Sequence, residues 1–552
     1  MPSASTRIVP LGGLGEVGKN MTVIEAEDGL VVIDSGLAFP RDEHLGVDLV
    51  LPDFSYLRER KNKLLAVILT HGHEDHVGGL PYVLRDIPVP KIFGTKFTLG
   101  LVHSKLDEHG LLHETELCEL APADAPVGIG PFALDFVRVA HSIPDAVAVH
   151  LQTPGGSILH TGDYKIDHTP VDGFRTDVAR LAELGEEGID LLLGDSTNAE
   201  RPGFTPSERV VSEAFRQIIP SQPGRILLAS FASNVHRVKQ AIDVAIDTGR
   251  QVCIVGRSMR KNVNIARNLG YVSIPEDRLV KPHQLGDLDA RDTMILCTGS
   301  QGEPLSALTR IAYDNHPHIS VERGDTVIIS AKPVPGNELR VHDTINGLTK
   351  AGATVLHQET TAVHVSGHGN AEELRMMLSL LAPRCVMPVH GEHRMLSAHA
   401  RLAADTGVDP DNIVVADNGT IVELSSDGLS VAGRAEAGVT FVDGLGVGDV
   451  RDVALRDRRH LSEHGVLIVV ATVILDEARE LGPPEVITRG LSELEPLVDE
   501  AREQAHKTLK GCLDDGVTEL KLLQEHLHDE LGKFISDRIG RRPMILPVVL
   551  EV

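Results

Sequence analysis

Over residues 6–193 the apolar positions fall in short alternating or continuous runs, broken by Gly, Asp, Asn and Pro. That is the pattern of half-buried and buried strands. Residues 6–34 read as a strand, a glycine loop, a strand, a turn at Asp28-Gly29 and a further strand. The continuous run Leu64-Leu65-Ala66-Val67-Ile68-Leu69-Thr70 predicts a buried strand, and Val77-Gly78-Gly79-Leu80-Pro81 a turn into a helix. Alternation recurs at Ala133–Val139 and Ala146–Leu151, and further strands are expected at Ser157–His160 and Ile189–Leu193. From about residue 206 the rhythm changes. A helical pattern over Pro206–Ile219, a strand at Arg225–Ala229, a helix from about Val235 to Ile246 and a strand at Gln251–Val255 predict a parallel sheet covered by helices. More buried strands are expected at Thr293–Cys297, Thr326–Ile329, Thr354–Leu356 and Cys385–Val389. Around 425–450 the composition turns to Gly, Ser, Asp and Ala, which reads as a linker. Beyond it come strand-like Val466–Ile474, helical stretches near 490–510 and 515–538, and a last strand Met544–Leu550.

The chain has 552 residues, 42% of them hydrophobic, enough for roughly three or four domains with large cores. No apolar stretch approaches the ~20 residues that cross a bilayer, and the first seven residues carry no secretion signal. Five widely spaced cysteines exclude a cysteine zinc finger and suit a reducing cytoplasm. A formal charge of −26 argues against a nucleic-acid partner, although bound divalent ions reverse the sign locally. Aromatics make up 3% and Trp is absent, so any grip on nucleic acid should act on its backbone.

The chemistry concentrates in His71-Gly72-His73-Glu74-Asp75-His76, directly after the predicted buried strand. Imidazoles and carboxylates are ligands for zinc and similar divalent ions. Asp34, His141 and Asp163 each stand where a strand stops, so side chains from separate strands can meet at one sheet edge. Each alone reads as a cap or turn residue. Together they complete a two-ion shell, with His71, His73 and His141 on one ion, Asp75 and His76 on the other and Asp163 between them. Asp34 fits the role of orienting a ligand. The pattern Gly13-Leu14-Gly15-Glu16-Val17-Gly18 imitates a dinucleotide fingerprint, but the β-branched runs after it read as a hairpin where that motif needs a helix.

The set Asp34-Ser35-Gly36, His71-x-His73-x-Asp75-His76, His141 and Asp163 resembles the metallo-β-lactamase superfamily. Gly194-Asp195-Ser196-Thr197-Asn198, His364-Val365-Ser366-Gly367-His368-Gly369 and Pro388-Val389-His390-Gly391-Glu392 resemble motifs of its β-CASP branch of nucleic-acid hydrolases. Ser230-Phe231-Ala232-Ser233-Asn234-Val235-His236-Arg237, Gly299-Ser300-Gln301-Gly302-Glu303-Pro304 and Lys332-Pro333-Val334-Pro335-Gly336-Asn337-Glu338 extend the likeness, over essentially the whole chain, to the bacterial ribonuclease J family. The resemblance implies an α/β protein: an αββα metallo-β-lactamase sandwich, an inserted parallel α/β β-CASP domain and a small α+β C-terminal domain. The expected boundaries are 1–207 and 351–440 for the sandwich, 208–350 for the insertion, 441–455 for a linker and 456–552 for an assembly domain. By the same resemblance His390 is a ligand of the second ion, and His368, Asp195 and Asp75 serve catalysis, His368 as proton donor or transition-state contact. His364, Val365, Ser366, Gly367 and His368 line the substrate phosphate site, while Ser233, Asn234 and His236 form a pocket for a 5′-monophosphate.

The small hydroxyls at Ser230 and Ser300, each between a predicted strand end and a helix start, agree with anion binding there, although ordinary capping explains either alone. The expected function is a cytoplasmic two-metal ribonuclease with 5′-to-3′ exonuclease and endonuclease action on single-stranded RNA. Its cofactors are two divalent ions, zinc first, with manganese or magnesium as alternatives. A homodimer or homotetramer, contacts with other RNA-decay proteins and no membrane association are also expected. Rival readings keep the metal site for a small ester or lactam, or make the chain a non-catalytic RNA-binding scaffold.

Overall fold

The computed structural model describes residues 5–552 except 42, 335, 445, 448–451 and 491. Pro335 of the Lys332 motif and part of the expected 441–455 linker lie outside the described residues. Residues 1–39 with 50–440 form one compact unit, and 40–49 with 441–552 a second.

In the first unit two sheets lie face to face. One has eight strands in the order Gly428–Arg434, Thr420–Ser425, Thr6–Gly12, Met21–Ala26, Gly29–Ile33, Leu64–Ile68, Lys91–Gly94 and Glu116–Glu119. The other has six: Cys385–Val389, Leu191–Asp195, Gly156–His160, Val147–Thr153, Phe132–Arg138 and Val127–Ile129. Period-two alternation sends Ile24, Val31 and Ile68 of the first sheet and Phe136, Val149 and Leu191 of the second into one shared core. The opposite face of the second sheet is covered by helices Val178–Glu187, Ala371–Leu381 and His393–Asp405 through Leu181, Leu378 and Leu402. The result is the αββα layering expected. The hairpin reading of the glycine segment also holds, with Thr22 paired antiparallel to Ile33. The Gly13 carbonyl accepts from the N–H of Gly391, next to His390.

The inserted segment forms a six-stranded parallel sheet, with Ile226–Ala229 between Thr293–Cys297 and Thr326–Ile329. Its strands are apolar on both faces because helices cover both. Leu228 and Ile254 pack beneath Phe215, Ile242 and Val263, whereas Leu227 and Cys253 pack against Leu308 and Ile311. Phe97, Leu101 and Ile143 of the sandwich join the first of these cores, so the inserted domain is docked by apolar contact.

Part of the 425–450 stretch departs from the linker reading. Gly428–Arg434 is an edge strand paired with Thr420–Ser425, because backbone pairing tolerates the short side chains that made it look like a loop. Helix Asp452–His464 begins inside the expected 441–455 linker. In the second unit, strand Val466–Ile474 pairs parallel with Met544–Glu551 and antiparallel with Glu485–Arg489. Leu467, Val469 and Val473 pack beneath helices Val498–Asp514 and Leu520–Ile539, an α+β arrangement. Among the described residues no helix is long and apolar enough to cross a membrane.

Candidate metal centre and substrate cleft

The strand ends converge as the spacing predicts. His71 and His73 lie in the loop after Leu64–Ile68, and Asp75 and His76 in the helix Glu74–Val77 that follows. This turn sits tightly on Gly36, where a Cβ would stand 1.7 Å from the carbonyl oxygen of Asp75. His141 follows Phe132–Arg138, Asp163 follows Gly156–His160 and His390 follows Cys385–Val389. Ligand atoms of His71, His73, His141 and Asp163 gather in one group, and those of Asp75, His76, Asp163 and His390 in a second. Asp163 belongs to both. A third group, Asp163, Asp195, His368 and His390, meets the same distance limit.

Hydrogen bonding decides which imidazole nitrogen faces inward. The Thr70 hydroxyl donates to Asp34 at 2.8 Å, so it accepts from Nδ1–H of His71 at 3.0 Å and leaves the Nε2 lone pair free. His141 gives its Nδ1 proton to the carbonyl of Gly367 at 2.8 Å. His76 gives its Nδ1 proton to Asp34 at 2.7 Å. The hydroxyl of Thr197, committed to Asp195 at 2.8 Å, receives Nδ1–H of His390 at 3.2 Å. Nε2 of His71 and Nε2 of His141 then lie 3.1 and 3.2 Å from Nδ1 of His73. With the His73 proton on Nε2, three lone pairs face one another, an arrangement that a cation between them relieves. Nitrogens bound tetrahedrally at about 2.0–2.1 Å would lie about 3.3 Å apart, close to what is found. Nε2 of His390 is buried with no hydrogen-bond partner, while its Nδ1 also lies 3.0 Å from an oxygen of Asp163. The residues present fit divalent ions.

The electrostatics divide the centre. Burial and the neighbouring His76 push His71 well below the ordinary histidine value, and burial takes His73 down to about 4. Burial and His73 likewise hold His141 down, so this trio is neutral and ready to ligate. Burial also opposes charge on His76 and His390, yet Asp163 and its neighbours raise both well above that value. Burial resists ionisation of Asp163, but His390, His76 and His368 hold its carboxyl well below the usual carboxylate range. Asp34 and His390 both adopt left-handed backbone, at φ 61° and 53°. Such conformations cost of order 1–3 kcal/mol and collect at functional sites.

Beside the centre, His368 gives its Nδ1 proton to Asp195 at 2.8 Å and keeps Nε2 3.9 Å from Asp163. Burial lowers its affinity for a proton, but Asp195 and Asp163 outweigh that and raise it. Burial alternates over residues 363–370, leaving His364, Ser366 and His368 less buried than Val363, Val365 and Gly367. Val365, only 8% exposed, packs into the inserted domain's core, so it has only its backbone to offer a substrate. Burial and Arg237 hold His364 down to about 3, so it would meet a phosphate as a neutral group.

The inserted domain brings Ser233, Asn234 and His236 to the start of helix Val235–Asp247. Asn234 caps that helix, accepting from the N–H of Arg237 at 3.0 Å, and Nε2 of His236 stands 3.1 Å from Asp172. A narrow pocket lies between His236 and His141, walled by Phe174, Arg138 and the carboxyl-bearing Asp145 and Asp172. Thr70 and the carbonyl of Gly367 orient ligands and were not anticipated from the sequence. Thr70 had a signal, a hydroxyl at the end of the predicted strand before His71, whereas a carbonyl has none.

A dinuclear ligand set between the sheets of an αββα sandwich, with a parallel α/β domain inserted beside it, defines a β-CASP-type metallo-hydrolase. The family models agree: "Metallo-beta-lactamase superfamily" matches residues 14–227 and "Ribonuclease J, beta-CASP domain" 223–348. "Zn-dependent metallo-hydrolase RNA specificity domain" matches 355–415 and "Ribonuclease J C-terminal domain" 453–552. The chain is 43% identical to Ribonuclease J of Thermus thermophilus over 100% of its own length and 96% of that protein. It is 41% identical to Ribonuclease J 1 of Streptococcus pyogenes, covering 98% and 97%, and 39% identical to Ribonuclease J2 of Bacillus subtilis, covering 99% of each. The chain belongs to the ribonuclease J family. A solved structure of a protein of unknown function from Enterococcus faecalis shares the fold, with 17% identity, a TM-score of 0.53, and coverage of 76% of this chain and 100% of that one.

Proposed function

We propose that this chain is a metal-dependent ribonuclease that degrades single-stranded RNA by 5′-to-3′ exonuclease and endonuclease action in RNA maturation and decay. The observation that carries the reading is the inward-facing imidazole trio of His71, His73 and His141, which shares Asp163 with a second ligand group. Two bound divalent ions, zinc for this nitrogen-rich set, supply Lewis-acid charge at phosphorus and lower the proton affinity of water. Asp163 reaches both ligand groups and is the natural bridge. His368, oriented by Asp195, holds a proton at Nε2 for the departing 3′ oxygen. The position of Ser233, Asn234 and His236 at a helix start, which favours a compact anion, supports a site for the 5′-monophosphate there. Assembly as a homodimer or homotetramer in the cytoplasm belongs to the same reading. Exposed Leu546, Val548 and Leu550 on the last strand supply an apolar face for such assembly.

A small ester or lactam substrate would leave the inserted domain without a purpose, and a scaffold has no need of converging ligands. The test is 5′-labelled RNA with and without chelator. Cleavage that stops on chelation and returns with zinc or manganese is expected, with 5′-monophosphorylated RNA degraded far faster than the triphosphorylated form. Cleavage indifferent to chelator would sink the metal mechanism. Equal rates on both 5′ ends would remove the 5′ pocket and leave the metal site standing.

A further inference from the structure

The chain passes between the sandwich and the inserted domain at residues 205–208 and returns at 363–368, and one buried network of charged side chains holds both crossings. Arg237, on the first turn of helix Val235–Asp247, has no solvent exposure. Its guanidinium donates to Glu208 of the outgoing crossing at 2.8 Å, to the Ser330 hydroxyl at 2.6 Å and to the Val363 carbonyl of the returning one at 3.0 Å. Lys165, buried beneath them, lies 3.6 Å from Glu208 and from Asp167 and donates to the Ser366 carbonyl at 3.2 Å. Desolvating such a set is costly, and apolar side chains often hold an interface as firmly. The network's distinctive capacity is to set direction.

What it directs lies four residues along. The carbonyls of the returning segment are engaged in series: Val363 by Arg237 and by the Ser330 hydroxyl that Arg237 itself holds, Ser366 by Lys165, Gly367 by His141, and His368 by Asn198 and Thr205. The Gly367 bond keeps the proton of His141 on Nδ1 and turns its Nε2 lone pair toward His73. Glycine is required at 367, because a Cβ there would stand 2.6 Å from Cε1 of His141.

We propose that Arg237 is a positioning residue for the metal centre: by clamping Val363 to the inserted domain, with Glu208 as counter-ion, it sets the Gly367 carbonyl that orients His141. Docking of the inserted domain is thereby coupled to affinity for the ion of the His71, His73 and His141 group. The inference rests on the two-metal reading above. The coupling is confined to one ion, because His76 takes its direction from Asp34 and His390 from Thr197.

Competition between chelator-stripped full-length protein and a zinc chelator, titrated with zinc, tests this without reference to turnover. The unaltered protein should take two equivalents. Arg237→Gln should weaken one equivalent, by no more than the about 10–100-fold that follows loss of a partner directly behind a ligand, and leave the other unchanged. Arg237→Lys, which keeps a donor for Val363, should recover part of the loss. If Arg237→Gln fails to fold because Glu208 is left unpaired, Arg237→Gln with Glu208→Gln removes both charges. Folded variants that keep both affinities, or lose both in parallel, overturn the coupling alone. Fewer than two equivalents in the unaltered protein would overturn the two-metal reading and the coupling with it.

Discussion

Asp163 lies within ligand distance of every group at the centre, so its loss is not local. Asp163→Ala is expected to abolish binding of both ions and nearly all hydrolysis, read by metal content and RNA cleavage. Asp34→Ala removes the partner of His76 Nδ1 and also the acceptor that commits the Thr70 hydroxyl behind His71, so it should cost about 10–100-fold in affinity for each ion. His368 tests a sharper distinction, since it also falls in a third ligand-like group with Asp195 and His390. As a proton donor its replacement by Ala lowers turnover by about 10²–10⁴ with metal content intact. Loss of an ion, with activity restored by excess zinc, would make it a ligand instead. The candidate ligands were legible in the sequence because His71, His73, Asp75 and His76 crowd one short stretch and the rest stand at strand ends. The groups that orient them were not. Every residue has a carbonyl, so nothing in the letters distinguishes that of Gly367, and Arg237 reads as an ordinary surface arginine until helix Val235–Asp247 buries it.

Among the elements, the returning segment and the helix that grips it are joined by an ion pair with a pH signature. Burial resists charge on Glu208, but Arg237 and Lys165 hold its carboxyl down to about 2 from an ordinary 4.5. A carboxyl depressed in the folded state contributes stability above its unfolded value, and that contribution is lost as pH falls through the folded one. Glu208→Gln should therefore cost about 3–5 kcal/mol near neutral pH. The gap from the unaltered protein should narrow between about pH 4.5 and pH 2, followed by denaturant midpoints across that range. A gap constant with pH would mean the carboxylate's charge contributes nothing. Elements with strong periodicity were the legible ones: Gln251–Val255 and Val466–Ile474 begin and end where their apolar runs do. Gly428–Arg434 was not, because an edge strand needs little from its side chains. Nor does local pattern say that a chain leaving one sheet at residue 195 resumes beside that strand at 385.

For the whole molecule, a charge of −26 sits awkwardly with a polyanionic substrate unless cations gather where it enters. Lys332 of the inserted domain is an exposed candidate: burial of its stem and then Arg201 and Arg394 of the sandwich pull its ammonium below the ordinary value. Like charges brought together from two domains suit a phosphate backbone. Replacing Lys332, Arg201 and Arg394 by Gln should weaken single-stranded RNA binding. It should also flatten the plot of log affinity against log salt by about 2 units, at about 0.7 per phosphate contact. An unchanged slope would place the RNA elsewhere. The interleaved chain has one more consequence, in time. Translation delivers His71 to Asp163 early, but the segment that orients His141, then His368 and His390, follows only after the whole inserted domain. A ribosome paused anywhere before residue 390 therefore holds an incomplete centre. An enzyme that consumes RNA thus stays unfinished, beside the message that encodes it, until the strand that leads to His390 has been made.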